Sequence, residues 1–103
     1  MSDRLAQLTR MLEREPGDAF CLYGLAQEYA KQGDLATAIV YYDRAIAADP
    51  SHGYSYFHKA RCEEERGSVD AAKQTLQRGL EQAIAAHDAK ATHEIRAYLD
   101  ELA

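Results

Sequence analysis

A chain of 103 residues that matches itself at a shift of 34 has few folds open to it, because each copy must bury its apolar face against the next. Here Pro16 falls on Pro50, Ala26 on Ala60, Gly33 on Gly67, Ala38 on Ala72 and Arg44 on Arg78. Chemical class persists at further pairs: Phe20 with Tyr54, Leu22 with Tyr56, Tyr23 with Phe57, Leu35 with Val69, Tyr42 with Leu76 and Ile46 with Leu80. Only four positions are identical between residues 18–51 and 52–85, so the signal lies in the kind of residue at each spot. Small residues recur where two helices must approach, and large apolar ones where a gap must be filled.

Punctuation divides each unit into two helices. From Asp18 to Gln32 the apolar positions 19, 22, 25, 26 and 29 make a helical stripe. Gly33-Asp34 stops that helix, with the glycine suited to a left-handed cap and the aspartate to capping the next helix. Leu35 to Ala48 carries a second stripe at 35, 38, 39, 42, 45 and 46, and Asp49-Pro50-Ser51 closes the unit. The second unit repeats the plan: a helix over about 53–66, a break at Gly67-Ser68, and a helix over about 69–86 that lacks a terminal proline and runs to about His87. Ser2 to Glu15, with Leu5, Leu8, Met11 and Leu12, has the form of the second helix of a unit. Residues from about 89 to 102, with Ala91, Ile95, Tyr98, Leu99 and Leu102, form an amphipathic helix that would cover the last open face. The expected architecture is all-α, about six helices stacked as antiparallel hairpins in a short α-solenoid. Its expected parts are residues 1–16 as a half-repeat, 19–52 and 53–86 as full repeats, and 87–103 as a cap.

Composition narrows the function. The length suits one domain, and 47% apolar residues suffice for a packed core. With 17 acidic against 12 basic residues the net charge is −5, and no basic run stands out, which argues against a nucleic-acid binder. The opening residues carry charge early and lack the apolar stretch of a signal peptide, and the longest apolar run is the five residues Ala38 to Tyr42, too short to cross a membrane. Cys21 and Cys62 lie inside helical patterns and read as reduced core thiols, which makes the cytoplasm the expected compartment.

The run Leu22-x2-Leu25-Ala26-x2-Tyr29, followed by Gly33-Asp34, Ala38, Tyr42, Ala45 and Asp49-Pro50, resembles a tetratricopeptide repeat. Leucine stands where the family has tryptophan, alanine for glycine, and tyrosine for phenylalanine. The second unit matches at Tyr56, Ala60, Gly67, Ala72 and Leu76 but departs at Lys59 and Glu63, where apolar residues are expected, at Gly79 for alanine, and at Ile84 for proline. These departures suggest a repeat near the end of the stack, with a partly wet neighbouring face. The resemblance implies a right-handed superhelical stack whose first helices line a concave surface, where such proteins bind peptides or partner proteins without catalytic machinery.

Fold does not by itself give function, so the groove is read from its own residues. On the first helix of repeat one, the positions opposite the packing face are Phe20, Tyr23, Gln27 and Lys31. Their counterparts in repeat two are Tyr54, Phe57, Arg61 and Glu65, with Glu64 beside them. Phe20, Tyr23, Tyr54 and Phe57 are expected to make an apolar floor, and Gln27 and Arg61 to hydrogen-bond a partner's backbone or carboxylate. The alternative, that these aromatics are core beneath a terminal helix, stays open, above all for Phe20 and Tyr54. A carboxylate clamp of the chaperone-adaptor kind is not expected, because Tyr23 and Phe57 stand where its polar residues would be needed.

Other constellations carry less. His52, His58, His87 and His93 include no i, i+4 pair on one helix, so they read as solvated or capping residues rather than metal ligands. Cys21 with a histidine lacks a third group or an oxyanion donor, and the glycines are scattered singly. No cofactor or metal is expected. Glu63-Glu64-Glu65 reads most simply as a wet helix end, with the alternative that it repels acidic partners or attracts a basic one, and Tyr41 as packing between neighbouring hairpins. The expected function is a non-enzymatic interaction module for an unidentified protein or peptide, with no nucleic acid and no membrane. The alternative is a self-associating module forming a homodimer through the aromatic face.

Overall fold

The computed structural model describes residues 2–103. It consists of α1 (Asp3–Arg14), α2 (Ala19–Lys31), α3 (Leu35–Ala48), α4 (Gly53–Glu65), α5 (Val69–Ala85) and α6 (Ala89–Leu102), with no strand among the described residues. None of these helices is long and apolar enough to cross a membrane.

Local chemistry sets the helix ends. Asp18, Asp34 and Asp88 each accept a hydrogen bond from a backbone N–H three residues on, those of Cys21, Thr37 and Ala91, and the Ser2 hydroxyl does the same for Leu5. Gly33 and Gly67 close α2 and α4 with φ of +81° and +83°, values that a side chain strongly disfavours. At the end of α5, where the proline is missing, the turn is made instead by His87 at φ 56°. The helix therefore stops at Ala85, two residues short of the expected His87. Between α3 and α4, the Asp49 carboxylate accepts from both the backbone and the hydroxyl of Ser51, and the Tyr56 hydroxyl donates to the Pro50 carbonyl at 2.8 Å.

Consecutive helices pack as antiparallel hairpins in two layers, within Cα extents of 38 × 30 × 18 Å. The thin dimension fits two rows of helices spaced at the usual 8–10 Å. α4 touches both α2 and α6, whereas α1, α3 and α5 make no such side-by-side contact with one another. A row that touches on one side and splays on the other must curve, and the concave side is the face of α2, α4 and α6.

Three apolar clusters fill the stack. Leu5, Leu8, Cys21 and Leu25 join α1 to α2, with Tyr29 and Tyr41 packed against them. Ala26, Ala38, Tyr42 and Cys62 join α2, α3 and α4. Ala60, Ala72, Leu76, Ala83, Ala91, Ile95 and Tyr98 join α4, α5 and α6. Tyr41 stacks on Tyr29 at 5.4 Å with an interplanar angle of 9°, and the Arg44 guanidinium lies 5.2 Å from the Tyr41 ring centre.

The polar departures in the second unit have partners. Lys59 is buried rather than wet, and its ammonium stands 2.7 Å from the Asp43 carboxylate of α3. Glu63 accepts a 2.6 Å hydrogen bond from the Thr75 hydroxyl, and Glu64 accepts one from the Tyr98 hydroxyl. Two of the three glutamates that read most simply as a wet helix end therefore tie α4 to α5 and α6. Gly79 is explained by Tyr56: a Cβ at Gly79 would lie 2.5 Å from the Tyr56 Cβ. In the first unit the same two positions hold Ala45 and the smaller Leu22.

Candidate functional site

On the concave face, rings from four helices form one connected surface. Tyr23 of α2 meets Tyr42 of α3 at 5.9 Å, His52 at 4.8 Å and His58 at 5.9 Å between ring centres. From His52 the contacts pass to Tyr54 at 6.1 Å, from Tyr54 to Phe57 at 6.4 Å, and from Phe57 to Tyr98 of α6 at 5.3 Å. His58 also meets Phe57 edge-on at 5.3 Å. Edge and tilted pairs at these separations each add about 0.5–1.5 kcal/mol beyond the area they bury. Tyr42 lies underneath, fully buried, while Tyr23, Tyr54, Phe57 and both histidines keep part of their surface open.

The phenols of this surface and the His58 imidazole are uncharged at neutral pH. Burial raises the pKa of Tyr23, Tyr42, Tyr54 and Tyr98 above the ordinary phenol value, so all four keep their protons. Burial, with the nearby Arg61 guanidinium and His52, lowers that of His58, which leaves a neutral imidazole. The thiols follow the same logic. Burial pushes Cys62 up to about 11 and also raises Cys21, so neither supplies the thiolate that nucleophilic chemistry requires. Among the described residues, no three of His, Cys, Asp and Glu come together as metal ligands. What the surface can do is present ring faces, neutral hydrogen-bond groups and a rim of charge.

Three depressions open on or beside it. The largest, about 640 Å³ between α4 and α6, is lined by Phe57, Arg61, Glu64, His93, Glu94, Ala97, Tyr98 and Glu101. A second, about 330 Å³ between α2 and α4, is lined by Gln27, Lys31, Tyr42, His58, Arg61, Cys62 and Glu65 among others. Arg61 stands on the ridge between these two. A third, about 310 Å³ at the start of α2, is bordered by Ala19, Phe20, Tyr23, Ala45, Asp49, His52 and Ser55.

The residues singled out from the sequence thus divide. Tyr23, Tyr54 and Phe57 share the ring surface, but Tyr54 and Phe57 also pack on the core beneath α5 and α6, so they serve both as floor and as core. The Tyr54 hydroxyl is shielded from water with no hydrogen-bond partner, and Glu94 is the adjacent carboxylate. Gln27, Lys31, Arg61 and Glu65 border the second depression and Glu64 the first. Lys31 also stands 3.2 Å from the buried Glu28 carboxylate, which accepts a hydrogen bond from Ser2. Burial works against that carboxylate, yet Lys31 and Ser2 outweigh it and keep its pKa below the ordinary value. Phe20 touches none of the other rings; it is 69% exposed and borders only the third depression.

His52, His58 and the residues of α6 carry no such signal in the sequence. His58 sits one residue beyond Phe57, off the periodic stripe, and reaches the surface because helix packing turns it toward Tyr23. The α6 residues are hidden by a change of period. Helix starts are 34 residues apart from α2 to α4, but 36 apart from α4 to α6, since α5 has 17 residues where α3 has 14 and the loop after it is one residue shorter. At a shift of 36, Phe57, His58, Arg61 and Glu65 fall on His93, Glu94, Ala97 and Glu101, all four of which line the first depression.

Known proteins share this fold. A TPR repeat-containing protein of Pseudomonas aeruginosa is 29% identical over 97 residues, covering 92% of this chain and 90% of that protein. The TPR2B domain of yeast Sti1, in a complex with pHsp70, superposes with a TM-score of 0.88 at 23% identity, over 95% of this chain and 78% of that one. The type III secretion chaperone SycD of Yersinia enterocolitica, in complex with a peptide of the translocator YopD, gives 0.85 at 18% identity, over 95% and 76%. At such identities the two solved structures speak to the fold. The tetratricopeptide repeat family model matches residues 23–91, from the second turn of α2 into α6, and this chain belongs to that family.

Proposed function

We propose that the protein is an interaction module that takes an extended segment of a partner polypeptide along the face of α2, α4 and α6. One observation carries this reading: a connected set of aromatic rings lies partly open on that face, with a depression on either side of Arg61. Monomeric domains rarely leave such surface uncovered without use for it, and aromatics beside arginine dominate binding energy at interfaces. Tyr23, Tyr54, Phe57 and His58 supply the floor, and Gln27 and Arg61 the hydrogen bonds that fix a backbone or side chain. The module does no chemistry of its own on this reading. That Sti1 and SycD were each solved with a partner supports it by analogy of fold.

The test is site-specific photocrosslinking in native extract. A crosslinking residue replaces Glu65 or Ala97 on the concave face, or Val40 or Gln77 on the outer helices. A partner trapped from the concave positions alone is the expected result, with Arg61→Ala reducing its capture while the thermal melt stays within a few degrees. Trapping from the outer positions alone would overturn the reading.

Self-association is the second reading, and Phe20 is the observation that favours it. A phenylalanine 69% exposed at the edge of a largely apolar depression can fill the same depression on a second copy. Sedimentation decides: a dimer at micromolar concentration that Phe20→Ser dissociates supports this reading, and an 11.5 kDa species throughout removes it.

A further inference from the structure

Charge is distributed unevenly along the groove. The depression between α4 and α6 carries three carboxylates, Glu64, Glu94 and Glu101, against the single guanidinium of Arg61. The one between α2 and α4 has Lys31 and Arg61 against Glu65. The ion pairs among the described residues are Lys31 with Glu28 and Lys59 with Asp43, so none of the three carboxylates at the α6 end is held in an ion pair. The floor beneath them is aromatic, with Phe57 and Tyr98 at 5.3 Å, and the Tyr98 hydroxyl donates to Glu64 and so holds that carboxylate beside the rings. Negative ring faces under a negative rim form an environment that a cation stabilises twice, through Coulomb attraction and through cation–π contact.

We propose that the α4–α6 depression receives a lysine or arginine side chain of the bound segment, so that the groove selects basic partners and sets their direction. Resting on the groove reading above, this names the chemistry of its occupant. A long basic side chain also suits the shape: its methylenes lie on Phe57, Ala97 and Tyr98 while its charge reaches the rim. The polarity of the groove then orients the segment, with its basic residue at α6 and its neutral or acidic part toward Lys31. An acidic segment is rejected at the α6 end, where it would face unpaired carboxylates.

The probe is a phage-displayed random peptide library of about 12 residues, selected on the full-length protein at low salt. The expected outcome is a recovered set enriched about threefold or more in lysine and arginine over the starting library. A recovered peptide titrated into isotope-labelled protein is expected to shift the Phe57, Ala97 and Tyr98 amides. Glu94→Gln with Glu101→Gln is expected to weaken it about three- to tenfold, the range that two exposed charge pairs supply, without moving the thermal melt, and ~0.5 M NaCl to weaken it similarly. Neutral or acidic peptides that shift the same amides would overturn the basic preference and leave the groove reading standing. Peptides that bind elsewhere, or none recovered, would overturn both.

Discussion

At the scale of single residues, size and charge are matched in pairs. Gly79 lets α5 come close to Tyr56, whose Cβ and Cγ would lie 2.5 and 2.9 Å from a Cβ at position 79, and the tyrosine is held in place by its bond to the Pro50 carbonyl. Gly79→Ala gains about 1 kcal/mol of helix propensity. It also forces apart two atoms that cannot swing away, and overpacking costs about 1–3 kcal/mol. We expect a net loss of up to about 2 kcal/mol in urea unfolding, not recovered when Tyr56→Leu is added, because leucine keeps the Cβ and Cγ that the new methyl group meets. A loss that Tyr56→Leu recovers would show that the ring, and not the approach of the two Cβ atoms, is the cause. His58 makes a second prediction, about pH. Its pKa is lowered in the folded state, so below the ordinary value near 6.5 the unfolded chain binds the proton more readily. Its contribution is fully present above that value and is lost progressively as pH falls through the lowered one. Chemical denaturation between about pH 7 and 5 is expected to show stability falling with acid, and His58→Gln to flatten the slope. Asp49 and Glu28, whose pKa values also lie low, act further down, below the ordinary carboxylate range.

Among the elements, α6 joins cover and surface. Its apolar side inserts Ala91, Ile95 and Tyr98 into the last cluster, and its polar side turns His93, Glu94 and Glu101 into the groove. Ile95 is fully buried against α4 and α5, so Ile95→Ala removes its apolar contacts and leaves a cavity. The expected cost is about 2–5 kcal/mol, read from the urea midpoint. The ion pair between α4 and α3 behaves differently. Lys59 is buried but Asp43 is about half exposed, so water screens much of their attraction. Lys59→Met keeps the volume and removes the desolvation cost of the ammonium. Stability is expected to change by less than about 1 kcal/mol, and a much larger loss would mean that the charge itself holds the hairpins in register.

For the whole molecule, stability is shared between neighbours. The cluster joining α1 to α2 and the one joining α4, α5 and α6 have no residue in common, and a middle cluster bridges them. A stack of this kind behaves approximately as units plus nearest-neighbour interfaces. Native-state hydrogen exchange is therefore expected to show Ile95→Ala loosening α5 and α6 far more than α1 and α2. A uniform acceleration would show that the chain opens only as one unit.

The helices, their order and their hairpin pairing were written in local chemistry: the 34-residue recurrence, the aspartate caps, Gly33 and Gly67 at positive φ, and the proline after α3. Repeating small and large residues sufficed for this, because each helix depends mainly on its own caps and on the stripe it shows its neighbour. Other features arose only on assembly. Lys59 and Glu63 looked like flaws until α3 and α5 brought Asp43 and Thr75 to them. His52 and His58 became part of a ring surface because Tyr23 arrives from another helix. The acidic end of the groove depends on the longer α5, which with a loop one residue shorter shifts the start of α6 by two residues and brings Glu94 and Glu101 beside Phe57. Sequence alone determined which faces are apolar, since burial selects residue type position by position. Which charges and rings share a surface was decided by packing, since that depends on distances between helices that no local pattern encodes.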